Sequence, residues 1–322
     1  MPPLQHRFVQ SNGIRLHVAE QGEGPLVVLC HGFPESWYSW RHQLKALAEA
    51  GYRAVAPDMR GYGQSDAPDA ITEYSMLHLV GDMVGLVLAL GVPKAVVVGH
   101  DWGAPVAWHC ALLRPDLFTA VAALSVPYRG RGPVQPTTAM PRTDDAEYYQ
   151  LYFQPPGQAE RELSRDVRRT IRAVLYGASG DAPASQQMTM VSRGGGFVSS
   201  LIDPTGLPSW LRDEDVDFYV AEFERTGFRG GLNWYRNIDR NWELLAPYAG
   251  AKVGVPALFV AGDRDQVVTS PGAQKVIAGM SGPVPRLQRT LMLPGCGHWT
   301  QQERPQAVND ALLEFLRGIG HA

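Results

Sequence analysis

The stretch GHDWGAPVAW, residues 99–108, carries Asp101 with Gly99 two residues before it and Gly103 two residues after. Small residues at those flanks are what a tight strand-to-helix turn needs. Such a turn lifts its central side chain above a sheet edge, at a helix N-terminus. Lipases and esterases hold serine there, which makes an acyl ester by attacking a carbonyl. A carboxylate at the same point attacks a saturated, electrophilic carbon instead, and the resulting ester is built from its own side chain. Water must then attack the carbonyl carbon of that side chain, a step that needs a general base and donors for the oxyanion. An aspartate before a helix can also simply cap it. Here the two glycines, the strand ahead of them and the partners downstream favour the nucleophile.

The base is offered by GCGHWT (295–300), where His298 sits in a glycine-flanked loop between the last strand pattern and the last helix pattern. An acid should follow a strand upstream, and VPALFVAGDRDQVV (255–268) supplies Asp263 and Asp265. Elbow, acid, base is the chain order of the triad on α/β-hydrolase sheets. Of the two acids Asp265 is favoured, with Asp263 bracing or capping the loop. HGFPES (31–36), just after the first buried strand, is where the second oxyanion donor falls, so the backbone N–H of Phe33 pairs with that of Trp102. His31 reads as a loop histidine held by hydrogen bonds.

Those residues require a scaffold, and the first half of the chain alternates short Val-rich runs with longer amphipathic ones, the pattern of parallel strands joined by helices. Strands are predicted at 25–30, 52–58, 94–101 and 118–126, and helices at 39–51, 75–91 and 104–114. The rhythm breaks from Tyr128 to Gly250, where helix patterns over 159–177 and 209–227 are separated by Gly- and Pro-rich loops. It resumes with strands at 255–263 and 289–295 and a closing helix over 305–318. This order predicts a helical insertion within one α/β unit rather than two tandem domains: core 1–126 and 249–322, helical cap 127–248.

Composition narrows the functional classes. The 322 residues are 45% hydrophobic and 19% charged, and the formal net charge of 29 − 32 = −3 comes from scattered residues. That speaks against nucleic acid or an anionic membrane surface as partner. The amino terminus lacks the apolar stretch of a signal peptide, and no run reaches the roughly 18 apolar residues of a membrane span. A cytoplasmic protein is therefore expected. Cys30, Cys110 and Cys296 lack metal-type spacing, so neither a disulfide framework nor a zinc site is expected.

With these residues in place, the sequence closely resembles the soluble epoxide hydrolases of the α/β-hydrolase superfamily, over nearly the whole chain. The resemblance rests on HGFPESWYSWRHQ (31–43), DMRGYGQSD (58–66), GHDWG (99–103), YYQLYFQPPGQAE (148–160), GFRGGLNWYRN (227–237) and CGHWTQ (296–301), in that order. It implies a mostly parallel eight-stranded sheet flanked by helices, and an epoxide opened to a vicinal diol. Asp101 would be the nucleophile, His298 the base and Asp265 its orienting acid. Opening an epoxide releases a basic alkoxide, and a tyrosine pair from the cap supplies acids in the family. The matching positions are Tyr149 and Tyr235, with Tyr148 and Tyr152 close to the first of them in sequence. No metal or organic cofactor is implied. The partner implied is a small apolar epoxide, with a homodimer conceivable. Some relatives carry an amino-terminal phosphatase domain, which is not expected where the hydrolase motifs start almost at Met1.

Substrate contacts are expected from Phe33, Trp102, Phe153 and Trp234, although Phe153 and Trp234 could equally pack cap against core. The stretch 177–200 is expected to shape the substrate entrance. A haloalkane or haloacid dehalogenase would share fold, nucleophile and base, but a halide needs N–H donors to solvate it rather than phenols to protonate it. A catalytically silent hydrolase fold acting as a binding protein would have no need of all these groups together. A detoxifying and a biosynthetic role are equally compatible with the sequence.

Overall fold

The computed structural model describes residues 3–183, 185, 186 and 188–320. Runs such as LVVLC, AVVVGH and ALFVAG have no polar face to offer water, so they suit a sheet covered on both sides. In chain order the strands are β1 (Gln5–Ser11), β2 (Ile14–Gln21), β3 (Leu26–Cys30), β4 (Arg53–Pro57), β5 (Ala95–His100), β6 (Phe118–Leu124), β7 (Ala257–Gly262) and β8 (Leu287–Leu293). They form one sheet in the order β1-β2-β4-β3-β5-β6-β7-β8. Every residue of β3, β5 and β7 is buried. All pairings are parallel except those of β2 with β1 and with β4.

The alternation along each inner strand feeds two apolar layers. Val28 and Cys30 of β3 pack with α2 (Met76–Ala89) and α3 (Gly103–Leu113), whereas Val27 and Leu29 pack with α1 (Arg41–Glu49) and the closing helix, Pro305–Gly318. The predicted strands and helices of the core are present, with ends moved by a residue or two. The β1–β2 hairpin was not predicted. It turns at Asn12 and Gly13, both at positive φ (50° and 80°), the backbone that the Asn-Gly pair favours in a two-residue hairpin loop.

Between β6 and its sheet neighbour β7 lies a largely helical segment, residues 125–256, containing α4 (Val167–Gly177), α5 (Asp213–Thr226) and α6 (Arg229–Arg236). The helix predicted over 159–177 is two pieces, Gln158–Leu163 and α4. Asp166 breaks it by capping α4, accepting a hydrogen bond from the Arg169 amide at 2.9 Å. Two short strands, Ala146–Tyr148 and Met190–Ser192, pair antiparallel inside the segment.

Residues Phe33, Asp101, Asp265 and His298 all follow the C-terminal ends of β3, β5, β7 and β8, the end of an open α/β sheet where ligands bind. The elbow between β5 and α3 depends on its glycines. A Cβ on Gly99 would overlap the Gly103 carbonyl, and one on Gly103 would overlap the Cys30 carbonyl of β3. Backbone cannot yield as a flexible side chain does, so Gly103→Ala is expected to lower the unfolding free energy by about 1–3 kcal/mol. A denaturant titration reads this directly; an unchanged midpoint would contradict the close packing of α3 on β3.

Candidate active site

Asp101 adopts φ +50°, a left-handed conformation that a non-glycine residue holds only when its surroundings impose it. Beside it, a Cβ on Gly32 would overlap the Asp101 side chain, so only glycine lets the 31–36 loop come this close. That approach brings the Phe33 amide to Asp101 Oδ1, to which it donates at 2.8 Å. Trp102, next in the chain, is the residue that leads into α3.

His298 lies between two carboxylates. Its Nε2 is 3.3 Å from Asp101 Oδ2, and its Nδ1 is 3.1 Å from Asp265 Oδ2. Asp265 is held in turn by the Val267 amide, which donates to Oδ1 at 2.9 Å. Asp263 points elsewhere and accepts from the Gly295 amide at 2.8 Å, bracing the loop that carries His298. His31 is likewise tied into its loop: its Nε2 accepts from the Met59 amide, and its Nδ1 is 2.9 Å from the Gly32 carbonyl.

Burial disfavours charge on Asp101, yet the hydrogen bond and charge of His298 outweigh it and hold the carboxyl below its ordinary range. Burial also disfavours a charged His298, but the charge of Asp265 and the contact with Asp101 push its pKa well above that of a free imidazole. The site at rest is therefore an ionised carboxylate beside an imidazolium.

A cavity that opens to solvent lies over this pair. Its polar floor is Asp101, Asp265 and His298; Phe33, Phe153, Phe197, Val174 and Trp299 give apolar walls. Tyr149 and Tyr235 face it with ring centroids 6.0 Å apart. Burial raises both phenols well above their ordinary pKa, and the Asp101 charge adds to the effect, so both stay protonated. Of the two tyrosines near Tyr149 in sequence, Tyr148 also lines the cavity. Tyr152 turns away and donates to Glu162 at 2.8 Å.

The aromatic residues expected to touch substrate divide. Phe33 and Phe153 line the cavity; Trp102 and Trp234 do not. The Trp234 indole N–H donates to the Arg60 carbonyl at 3.1 Å, and its ring packs edge-on against Tyr62 at 5.6 Å. Trp102 stands behind Tyr235, edge-on at 5.2 Å. From the 177–200 stretch, Ala178, Met188, Thr189 and Phe197 reach the cavity.

Sequence reasoning missed the buried groups under the His298 loop. Glu35 accepts from the Gly32 amide and meets His100 Nδ1, both at 2.8 Å, while His100 Nε2 is 2.7 Å from the His298 carbonyl. Ser125, at φ +68°, donates to the same carbonyl at 2.8 Å. The available signal was a glutamate and a histidine inside apolar surroundings in HGFPES and GHDWG, where an unpaired polar group would be costly. The inserted segment is pinned to this loop from above. The His298 amide donates to the Ala178 carbonyl at 2.8 Å and the Trp299 indole to the Leu175 carbonyl at 2.7 Å. Glu303 accepts from both the Gly180 and Gly297 amides.

Among the described residues no group of three or more His, Cys, Asp or Glu side chains is arranged to hold a metal ion, and no helix is long and apolar enough to cross a membrane. A family model described as the alpha/beta hydrolase fold matches residues 25–173. The chain is 50% identical to Epoxide hydrolase A of Mycobacterium tuberculosis (strain ATCC 25618 / H37Rv), with 97% of each chain covered. It is 43% identical to Epoxide hydrolase 3 of Siraitia grosvenorii, covering 98% of this chain and 99% of that one. The solved structure of an epoxide hydrolase from an endophytic Streptomyces superposes with a TM-score of 0.95 at 48% identity, covering 99% of this chain and 97% of the other. With such identity over nearly its full length, the chain belongs to the epoxide hydrolase family, built on the alpha/beta hydrolase fold.

Proposed function

We propose that this protein hydrolyses a small apolar epoxide to a vicinal diol through a covalent ester on Asp101. The observation that carries the reading is the pair of protonated phenols, partly buried Tyr149 and buried Tyr235, facing the cavity above an ionised carboxylate. Asp101 attacks a ring carbon while the tyrosines hydrogen-bond the ring oxygen. The C–O bond breaks, and a proton from a phenol neutralises the alkoxide. The inserted segment acts as the cap that carries these acids. Phenols rather than N–H donors at this point favour an oxygen leaving group over a halide.

The second step follows from the electrostatics of the first. Esterification removes the negative charge of Asp101, one of the two carboxylates that hold the proton on His298. Without that charge the imidazolium becomes a stronger acid and loses its proton to solvent, which returns one to the phenolate left by the first step; the neutral imidazole, oriented by Asp265, then takes a proton from water and is an imidazolium again. Water attacks the Asp101 carbonyl carbon, the Phe33 amide stabilises the oxyanion with the Trp102 amide as its partner, and the diol departs.

Three measurements test this. Purified His298→Gln incubated with styrene oxide is expected to accumulate a stoichiometric adduct of one substrate mass on the Asp101 peptide; a silent variant together with a wild type that makes no diol from any epoxide would refute the reading. The Tyr149→Phe/Tyr235→Phe double variant should lose roughly 10²–10⁴-fold in kcat/KM, the usual contribution of general acids, and undiminished diol formation would reassign them. In Asp101→Asn the His298 pKa should fall, because one carboxylate is gone. Imidazole titration by NMR checks the sign, and an unmoved or raised pKa would mean that the pair is not coupled.

A further inference from the structure

The two phenols of the proposed reaction stand on separately anchored pieces of chain. Tyr235 lies in α6, which is docked on the α/β core. The Trp234 indole donates to the Arg60 carbonyl, and the side-chain amide of Asn237 donates to the Ile71 carbonyl at 2.7 Å. A Cβ on Gly230 would overlap the Gly61 carbonyl, so the first turn of α6 sits directly on the 58–66 loop. Tyr149 opens the short helix Tyr149–Tyr152, and its amide donates to the Thr189 carbonyl of the inserted segment at 2.9 Å. Neither anchor fixes one phenol against the other.

Two side chains cross between the pieces. Gln154, just past the short helix, donates to the Tyr235 carbonyl at 3.0 Å and to the Gln150 carbonyl at 2.8 Å. Arg236, the residue after Tyr235, reaches the opposite way. Its Nε donates to the Phe153 and Gln154 carbonyls, both at 3.2 Å, and its Nη2 to the Pro155 carbonyl at 3.3 Å. Its two terminal nitrogens also meet the two oxygens of Glu160, at 2.7 and 2.9 Å. Glu160 is held in turn by the Gly157 amide at 2.8 Å. Carbonyls at the end of a helix have no partner within it, and a guanidinium offers five donors in a planar fork, so one side chain serves both the carbonyls and the carboxylate. The Arg236 side chain is only 3% exposed. A charge so deeply buried is costly unless its partners are in place, which leaves the two pieces little freedom to slide.

We propose that Arg236 sets the spacing of the two acids, by tying the chain that leaves the Tyr149 helix to α6 so that both hydroxyls reach one ring oxygen. The proposal rests on the epoxide-opening reading above. Phe153, Tyr149 and Tyr235 line the cavity and Arg236 does not, so it is a positioning residue that acts through the phenols. A displacement of about 1 Å in a reacting group can cost about 10²-fold in rate. Ester formation is the step that uses the acids. Hydrolysis of the ester uses His298, Asp265 and the Phe33 amide, which stand on loops that follow strands of the sheet.

The test is rapid-mixing kinetics of Arg236→Met with styrene oxide, resolving ester formation on Asp101 from hydrolysis of the ester. Formation should slow by about tenfold to a hundredfold, while hydrolysis keeps its wild-type rate. Arg236→Lys, which keeps a charge opposite Glu160 but not the fork, should fall between the two. In a Tyr149→Phe background there is no spacing left to set, so the further loss from Arg236→Met should largely vanish. Wild-type ester formation in Arg236→Met, an equal slowing of both steps, or losses that simply multiply with that of Tyr149→Phe would each overturn the proposal. If Arg236→Met does not fold, Glu160→Gln, at a side chain 20% exposed, carries the same comparison. It should slow ester formation alone, and both steps slowed equally, or neither, would count against Arg236. Adduct formation on Asp101 by the wild type separates the two levels: with the adduct present, a failure belongs to Arg236 alone, and without it the epoxide-opening reading falls as well.

Discussion

One imidazole shared by two carboxylates organises this molecule. His298 is held from opposite sides by Asp101 and Asp265, at 3.3 and 3.1 Å, in a place where burial alone would keep it neutral. Two negative charges around one positive charge leave the cluster with a net negative charge, and Asp101 is the carboxylate that also meets the Phe33 amide. The same pairing that keeps Asp101 ionised keeps the His298 ring protonated, so the ring can take up no further proton while that anion stands. The order of the proposed chemical steps is thereby written into the resting electrostatics. Much of the surrounding structure serves to bring three loops from β5, β7 and β8 to within hydrogen-bonding distance of this one ring.

The scaffold meets that demand with backbone more than with side chains. Glycine at 32, 99 and 103 lets the elbow, the 31–36 loop and β3 come into contact that any Cβ would prevent. Among the described residues, two of the three non-glycine residues at positive φ, Asp101 and Ser125, sit at the β5–α3 elbow and beneath the His298 carbonyl. Strained backbone collects where the geometry has least freedom, a common property of sites that must be preorganised. Beneath them, Glu35 and His100 pair under the His298 loop.

How much of this could be read beforehand follows from which residues have only one use. A glycine-flanked aspartate after a Val-rich strand has few roles, and its partners downstream were restricted to loops that follow strands, so the meeting of Asp101, Asp265 and His298 in space was legible. The inner strands were legible because a run such as LVVLC can be satisfied only in a covered sheet. The β1–β2 hairpin was missed because β1 lies at a sheet edge and half of its residues face water, leaving Asn12-Gly13 as the main signal. The division between Phe153 in the cavity and Trp234 behind it was not legible either. Both are large aromatic residues in helical surroundings, and only the packing of one segment on another decides which ring meets the open space. The Glu35–His100 pair joins residues 65 positions apart, a distance over which local pattern carries no information.

The pinning of the inserted segment to the His298 loop bears on how such enzymes can be recombined. Leu175, Ala178 and Gly180 are hydrogen-bonded to Trp299, His298 and Glu303, and a Cβ on Gly297 would overlap the backbone at Ser179 and Gly180. The roof over the cavity and the loop bearing His298 thus share one seam, although more than a hundred residues of chain separate them. A chimera that takes residues 125–256 from a relative while keeping the native 295–303 loop would splice across that seam. Exchange of substrate range between family members is better served by transferring both stretches as one block, because the roof and the base are parts of a single joint.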